Sequence, residues 1–144
     1  MPPLHLPRIP RPNIARRHTE PANLKIKCSS GPSRKTHSTL STCTNQRRGT
    51  IEQHDVYVCS DAVNAPRLVA LTREALDEKV QCWGGNAMVD ESYKQSTSTP
   101  THQHRLQVKY TGVVARCDRP DPHYPVALEE AKSIPGLMTV LSRE

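Results

Sequence analysis

Residues 68–89, LVALTREALDEKVQCWGGNAMV, constrain the fold more than any other stretch of this chain. Leu68, Leu71, Ala75, Leu76, Val80, Cys82 and Trp83 recur with helical spacing. Arg73, Glu74, Asp77, Glu78 and Gln81 fill the opposite side, which reads as a solvated face. The periodicity predicts one amphipathic helix over 68–83. Asn64 is the expected N-cap, and Pro66 suits a first turn, where its missing N–H costs little. Gly84 or Gly85 ends the helix in the left-handed conformation. So short a helix is marginal by itself in water, so it needs a sheet against its apolar side.

The flanking segments supply one. Residues 56–59, VYVC, are short and β-favouring. Beyond the glycines, Ala87, Val89 and Tyr93 alternate with Met88, Asp90, Ser92 and Lys94, which predicts a second strand. Leu106, Val108, Tyr110, Gly112 and Val114 alternate with Gln107, Lys109, Thr111, Val113 and Ala115, which predicts a third. The polar run 95–104 joins the second and third strands as an antiparallel hairpin. Residues 126–133 read as a short helix stopped near Pro135-Gly136, and 137–141 form a last apolar run. The expected class is α+β: a β-α-β-β unit with a three-stranded, mainly antiparallel sheet, one main helix and a short C-terminal helix. One helix covers one face of such a sheet. Met88, Val113 and Ala115 would be left on the other, to be covered by the tail or a second subunit.

Charge divides the chain. Residues 1–50 hold ten Lys/Arg and a single acid, Glu20, whereas 51–144 hold ten Lys/Arg and thirteen acids. Seven of the thirteen prolines and none of the five aromatics lie in the first fifty residues. Such a segment cannot offset its ordering entropy and reads as a disordered basic arm. The expected division is therefore an arm at 1–50, a domain at 51–124 and a packed helical tail at 125–144. An Arg-rich, acid-poor leader also suits mitochondrial targeting, but Pro2, Pro3, Pro7, Pro10 and Pro12 would break the helix that targeting needs. A cytoplasmic home is the first expectation, a mitochondrial one the alternative. No apolar run is long enough to span a membrane. The five cysteines are an odd number without a CxxC pair, which fits a reducing compartment better than a disulfide framework.

The junction Gly84-Gly85-Asn86-Ala87-Met88-Val89 resembles the Gly-Asn-Ala-hydrophobic turn of the YbjQ-like family of heavy-metal-binding domains. Residues 110–115, YTGVVA, resemble the Gly-Thr-Ala-like run that ends that family's last strand. The similarity spans about 68–117 and implies a dodecin-like β-α-β-β fold assembled into rings. The family's leading strand, rich in Gly and Val, has no counterpart here. Independently of any family, Gly84 and Gly85 permit a tight helix-to-strand reversal. Asn86 can bond backbone through its amide, and Ala87 lets helix and strand approach.

Candidate chemistry is sparse. His102 and His104 in the loop, with Asp90 and Glu91 on the partner strand, carry the right donors for a divalent metal. Against that stands an exposed loop with nothing to fix it. Cys59, Cys82 and Cys117 occur in the three core elements, where packing alone accounts for them. Arg16, Arg17, Arg34, Lys35, Arg47 and Arg48 form basic pairs in the arm that suit nucleic-acid contact. No nucleophile signature or phosphate-cradling loop occurs, since the glycines end a helix rather than open one. The expectation is a non-enzymatic domain, without a cofactor, that self-assembles or binds a protein partner. The alternatives are a divalent-metal protein and a nucleic-acid binder using the arm.

Overall fold

A computed structural model describes residues 25–31, 35–41, 46–100, 102–119 and 121–144, together with Pro3. The elements are β1 (Ile26–Ser29), α1 (Ser38–Ser41), β2 (Gln46–Ser60), α2 (Ala65–Cys82), β3 (Ala87–Ser98), β4 (Gln103–Arg116), a 3-10 turn (Leu128–Glu130) and β5 (Thr139–Arg143). The five strands form one sheet in the order β1-β3-β4-β2-β5, antiparallel at every pairing. The expected three-stranded sheet is thus corrected to five strands, and the fold is mostly β with one main helix. The C-terminal helix expected at 126–133 is only the 3-10 turn Leu128–Glu130, entered through a left-handed Ala127 (φ 51°).

The basic segment is also corrected. β1 and the first residues of β2 lie within residues 1–50. Apolar density misjudged them because a strand draws its hydrogen bonds from a neighbouring ladder. β2 pairs with β4 from Gln46↔Arg116 to Ser60↔Gln103, so the length of β4 carries β2 back past residue 50. α1 lies there as well, and residues 1–2, 4–24, 32–34 and 42–45 lie outside the described residues.

The helix forms where periodicity puts it. Asn64 caps it, its side chain accepting from the Arg67 N–H at 3.3 Å. Its buried face, however, is centred on Val69, Arg73, Leu76 and Val80, with Leu68 and Thr72 beside them. These recur at steps of four, three and four, a single stripe. Cys82 and Trp83 are exposed, not buried as the broader arc implied.

A β-bulge decides which strand residues meet that stripe. Val89 pairs with Val113 and Ser92 with Thr111, so Asp90 and Glu91 together oppose Gly112. Asp90 takes the left-handed conformation (φ 50°) that the extra residue requires. The bulge shifts the alternation by one. Met88 and Tyr93 therefore share the helix-facing core with Tyr57, Leu106, Val108, Tyr110 and Val114. Ala87 and Val89 face the other way, against Val113, Ala115 and Cys117. Met88 is consequently not on the second face, contrary to a uniform alternation.

Each face has its own cover. The tail joins the helix side, where Leu128, Ala131, Ile134 and Met138 pack on the main core. Its end pairs with β2 as β5. The apolar end of the second face is closed by Leu40 of α1, itself fully buried. The cover expected from the tail or a second subunit comes instead from the segment read as an arm.

Candidate functional site

The Gly84–Ala87 turn is a structural joint. Gly84 has φ 76°, where a side chain would be strained. Gly85 is a close approach: a Cβ there would lie 3.0 Å from both the Ala115 carbonyl oxygen and a Val80 methyl. Asn86 ties the turn to the far strand, donating from Nδ2 to the Cys117 carbonyl and accepting from its N–H, both at 2.8 Å. Ala87 is buried against Leu40.

The densest ionisable cluster was not legible in the charge pattern. Arg73, 3% exposed, stands in the middle of the helix stripe. Its Nε donates to Glu91 Oε1 at 2.5 Å, and one Nη to Asp121 Oδ1 at 3.1 Å. Tyr110 OH donates to the same Glu91 oxygen at 2.7 Å. Asp121 also accepts from the N–H groups of Met88 (3.0 Å) and His123 (2.7 Å). Burial pushes the Glu91 carboxyl above its ordinary pKa despite the opposing pull of Arg73 and Tyr110. Burial and the Glu91 charge likewise raise Tyr110. Almost fully buried and largely bonded within itself, the cluster clasps α2, the β3 bulge and residues 121–126 together. Its signal was available: Val69, Arg73, Leu76 and Val80 share one helical stripe.

The metal candidates do not converge. Asp90 and Glu91 sit at the bulge, whereas His102 and His104 sit beyond Ser98 at the other end of the hairpin, roughly 25 Å away at ~3.3 Å per residue. Asp90 is engaged by Arg47 and Thr36, Glu91 by Arg73, and His104 Nδ1 lies 2.9 Å from Thr99 Oγ1. No group of three or more His, Cys, Asp or Glu among the described residues could hold a metal. Cys59 and Cys117 lie in the two different cores, on opposite faces of the sheet.

Of the basic pairs, Arg16, Arg17 and Arg34 lie outside the described residues. Lys35 bridges to Glu130 at 3.3 Å, Arg47 pairs with Asp90, and Arg48 donates to the Trp83 carbonyl at 3.3 Å. They lace the described part of the basic segment to the domain.

The feature left exposed is the rest of the second face. Beyond the end closed by Leu40, β1, β3, β4 and β2 present Lys27, Ser92, Lys94, Ser96, Arg105, Gln107, Lys109, Thr111, Glu52 and His54. Lys94 lies directly opposite Lys109, and His54 opposite Lys109 on the other side. Lys27, His54, Lys94, Ser96, Gln107 and Lys109 line a concavity of about 330 Å³. Glu52 alone among these residues is acidic, and it bridges Lys109 at 3.4 Å. Val56 and Val58 are half-buried along its β2 margin. The aromatics of the strands, Tyr57, Tyr93 and Tyr110, all point into the main core.

No helix among the described residues is long and apolar enough to cross a membrane. Compared with protein-family models, curated proteins and solved structures, the chain matches none.

Proposed function

We propose that this protein is a non-enzymatic binding module that presents the open face of its sheet to an anionic partner. The observation that carries the reading is the cross-strand pair Lys94–Lys109. Like charges directly opposite one another destabilise a sheet, and their side chains lie only ~5 Å apart at Cβ. Glu52 offsets one of them. Lys27, Lys94 and Arg105 make no ion pair with a carboxylate among the described residues. An arrangement that costs stability and faces outward is the expected form of a site whose counter-charge arrives with a ligand. The same charge disfavours self-assembly through this face, since two copies would bring like charges together.

The test is amide chemical-shift mapping of the full chain against three polyanions: polyglutamate, a heparin fragment and an oligonucleotide. Shifts clustered at Lys27, Lys94, Gln107 and Lys109 with at least one of them support the reading. No shift on this face with any of the three would refute it.

A further inference from the structure

We infer that the anionic partner is a nucleic-acid strand, held by its phosphodiester backbone along β3 and β4 without regard to base sequence. This rests on the anionic-partner reading and narrows it to one chemistry.

The composition of the face separates phosphate from protein. Interfaces between proteins are enriched in aromatic residues, Met and Arg and depleted of Lys and Ser. Here Lys27, Lys94 and Lys109 stand among Ser92, Ser96, Gln107 and Thr111, and β2, β3 and β4 place no aromatic on this side. A protein partner would find no buried anchor. Phosphate oxygens are contacted by these very side chains: Lys and Arg for charge, Ser, Thr and Gln for hydrogen bonds.

The spacing agrees. Arg105, Gln107, Lys109 and Thr111 project from β4 at alternate residues, a repeat of ~6.8 Å, which is roughly the reach of one extended nucleotide. Ser96 lies opposite Gln107, and Lys94 opposite Lys109, so each step offers donors from two strands. The concavity between Lys27, Lys94 and Lys109 gathers three cations on this track. Glu52, opposite Thr111, ends the track by repulsion, so the strand runs from Lys94–Lys109 toward Arg105. Without Tyr, Trp or Phe platforms most bases stay in solvent, and affinity is largely electrostatic.

The experiment is fluorescence anisotropy of labelled oligothymidylate and oligouridylate with the full chain, titrated over a salt series. A Lys27→Ala/Lys94→Ala/Lys109→Ala variant and polyglutamate as competitor complete the set. Both oligonucleotides should bind alike. Neutralising three phosphates of a single strand contributes about −2 to the slope of log K against log salt, and the triple variant should lose that contribution and bind at least about tenfold more weakly. The milder Lys94→Gln/Lys109→Gln pair should lose about −1.4 of slope, which keeps the test valid if the triple variant folds poorly. Oligonucleotide binding undiminished in both variants assigns contact to the basic N-terminal segment and overturns the inference. Polyglutamate competing equally, charge for charge, overturns the phosphate assignment while the anionic-partner reading stands. Failure of all the polyanions to bind removes both.

Discussion

Replacing Arg73 by Met should expose how the core tolerates charge. The guanidinium pairs with both Glu91 and Asp121, and all three side chains are at most 3% exposed. Asp121 would retain its two backbone donors, but Glu91 would keep the Tyr110 hydroxyl, and its Oε2 has no hydrogen-bond partner among the described residues. Removing one member of a buried pair costs about 3–5 kcal/mol, chiefly because the remaining charge is left uncompensated. The cost must then depend on pH. The folded-state pKa of Glu91 is raised by burial, so its stabilising form is the protonated one, and that contribution is lost as pH rises through the folded pKa. Without Arg73 that pKa rises further, and the deficit of Arg73→Met opens as the solution becomes less acidic. Urea unfolding monitored by circular dichroism should give a larger deficit near about pH 8 than near about pH 5. Adding Glu91→Gln should recover part of the loss at the higher pH. A deficit below about 1 kcal/mol, or one equal at both pH values, would show that the cluster matters as packing and not as a charge clasp.

Two further outcomes follow from the same packing. Leu40→Ala should destabilise the fold by about 2–5 kcal/mol, since Leu40 is fully buried on the second face; a melting temperature within error of the wild type would mean that the 35–41 segment does not cover the sheet. Gly85→Val should be far more damaging than Ser98→Val, because the space over Gly85 is already filled by Val80, Val114 and the Ala115 carbonyl, whereas Ser98 is half-buried at the end of β3; equal thermal shifts for the two would contradict the close approach.

What the sequence made visible was local. The helix, its Asn64 cap, the Gly-Gly stop and the β3–β4 hairpin all follow from spacing and turn chemistry within a few residues of one another. The bulge was hidden because it is a property of two strands. Asp90-Glu91 reads as a plain alternation until Gly112 on the partner strand is seen to face both residues. A one-residue shift in register exchanges faces. It moved Met88 into the main core and turned Glu91 inward to meet Arg73. The buried arginine was hidden for a related reason. Charge-based assignment placed it in water, although its position on the stripe with Val69, Leu76 and Val80 placed it inside. Where position and residue type conflict, a buried partner is the resolution, and that partner came from the bulge.

The open face was hidden by distribution rather than by chemistry. Lys27 falls in the segment that composition assigned to a disordered arm, and His54 just before the stretch recognised as a strand. Lys94 and Lys109 belong to separate polar alternations, each of which reads as an ordinary solvated side. Only the pairings Lys94↔Lys109 and His54↔Lys109, with Lys27↔Ser96 beside them, gather these residues onto one face across four strands. The same folding event that gathers them hides every strand aromatic on the opposite face, because alternation permits each strand one choice. Charge without aromatic anchors is therefore a joint consequence of register and bulge. Moving the register of β3 against β4 by a single residue would separate the two lysines and expose Tyr93, turning a surface suited to phosphate into one suited to an apolar partner.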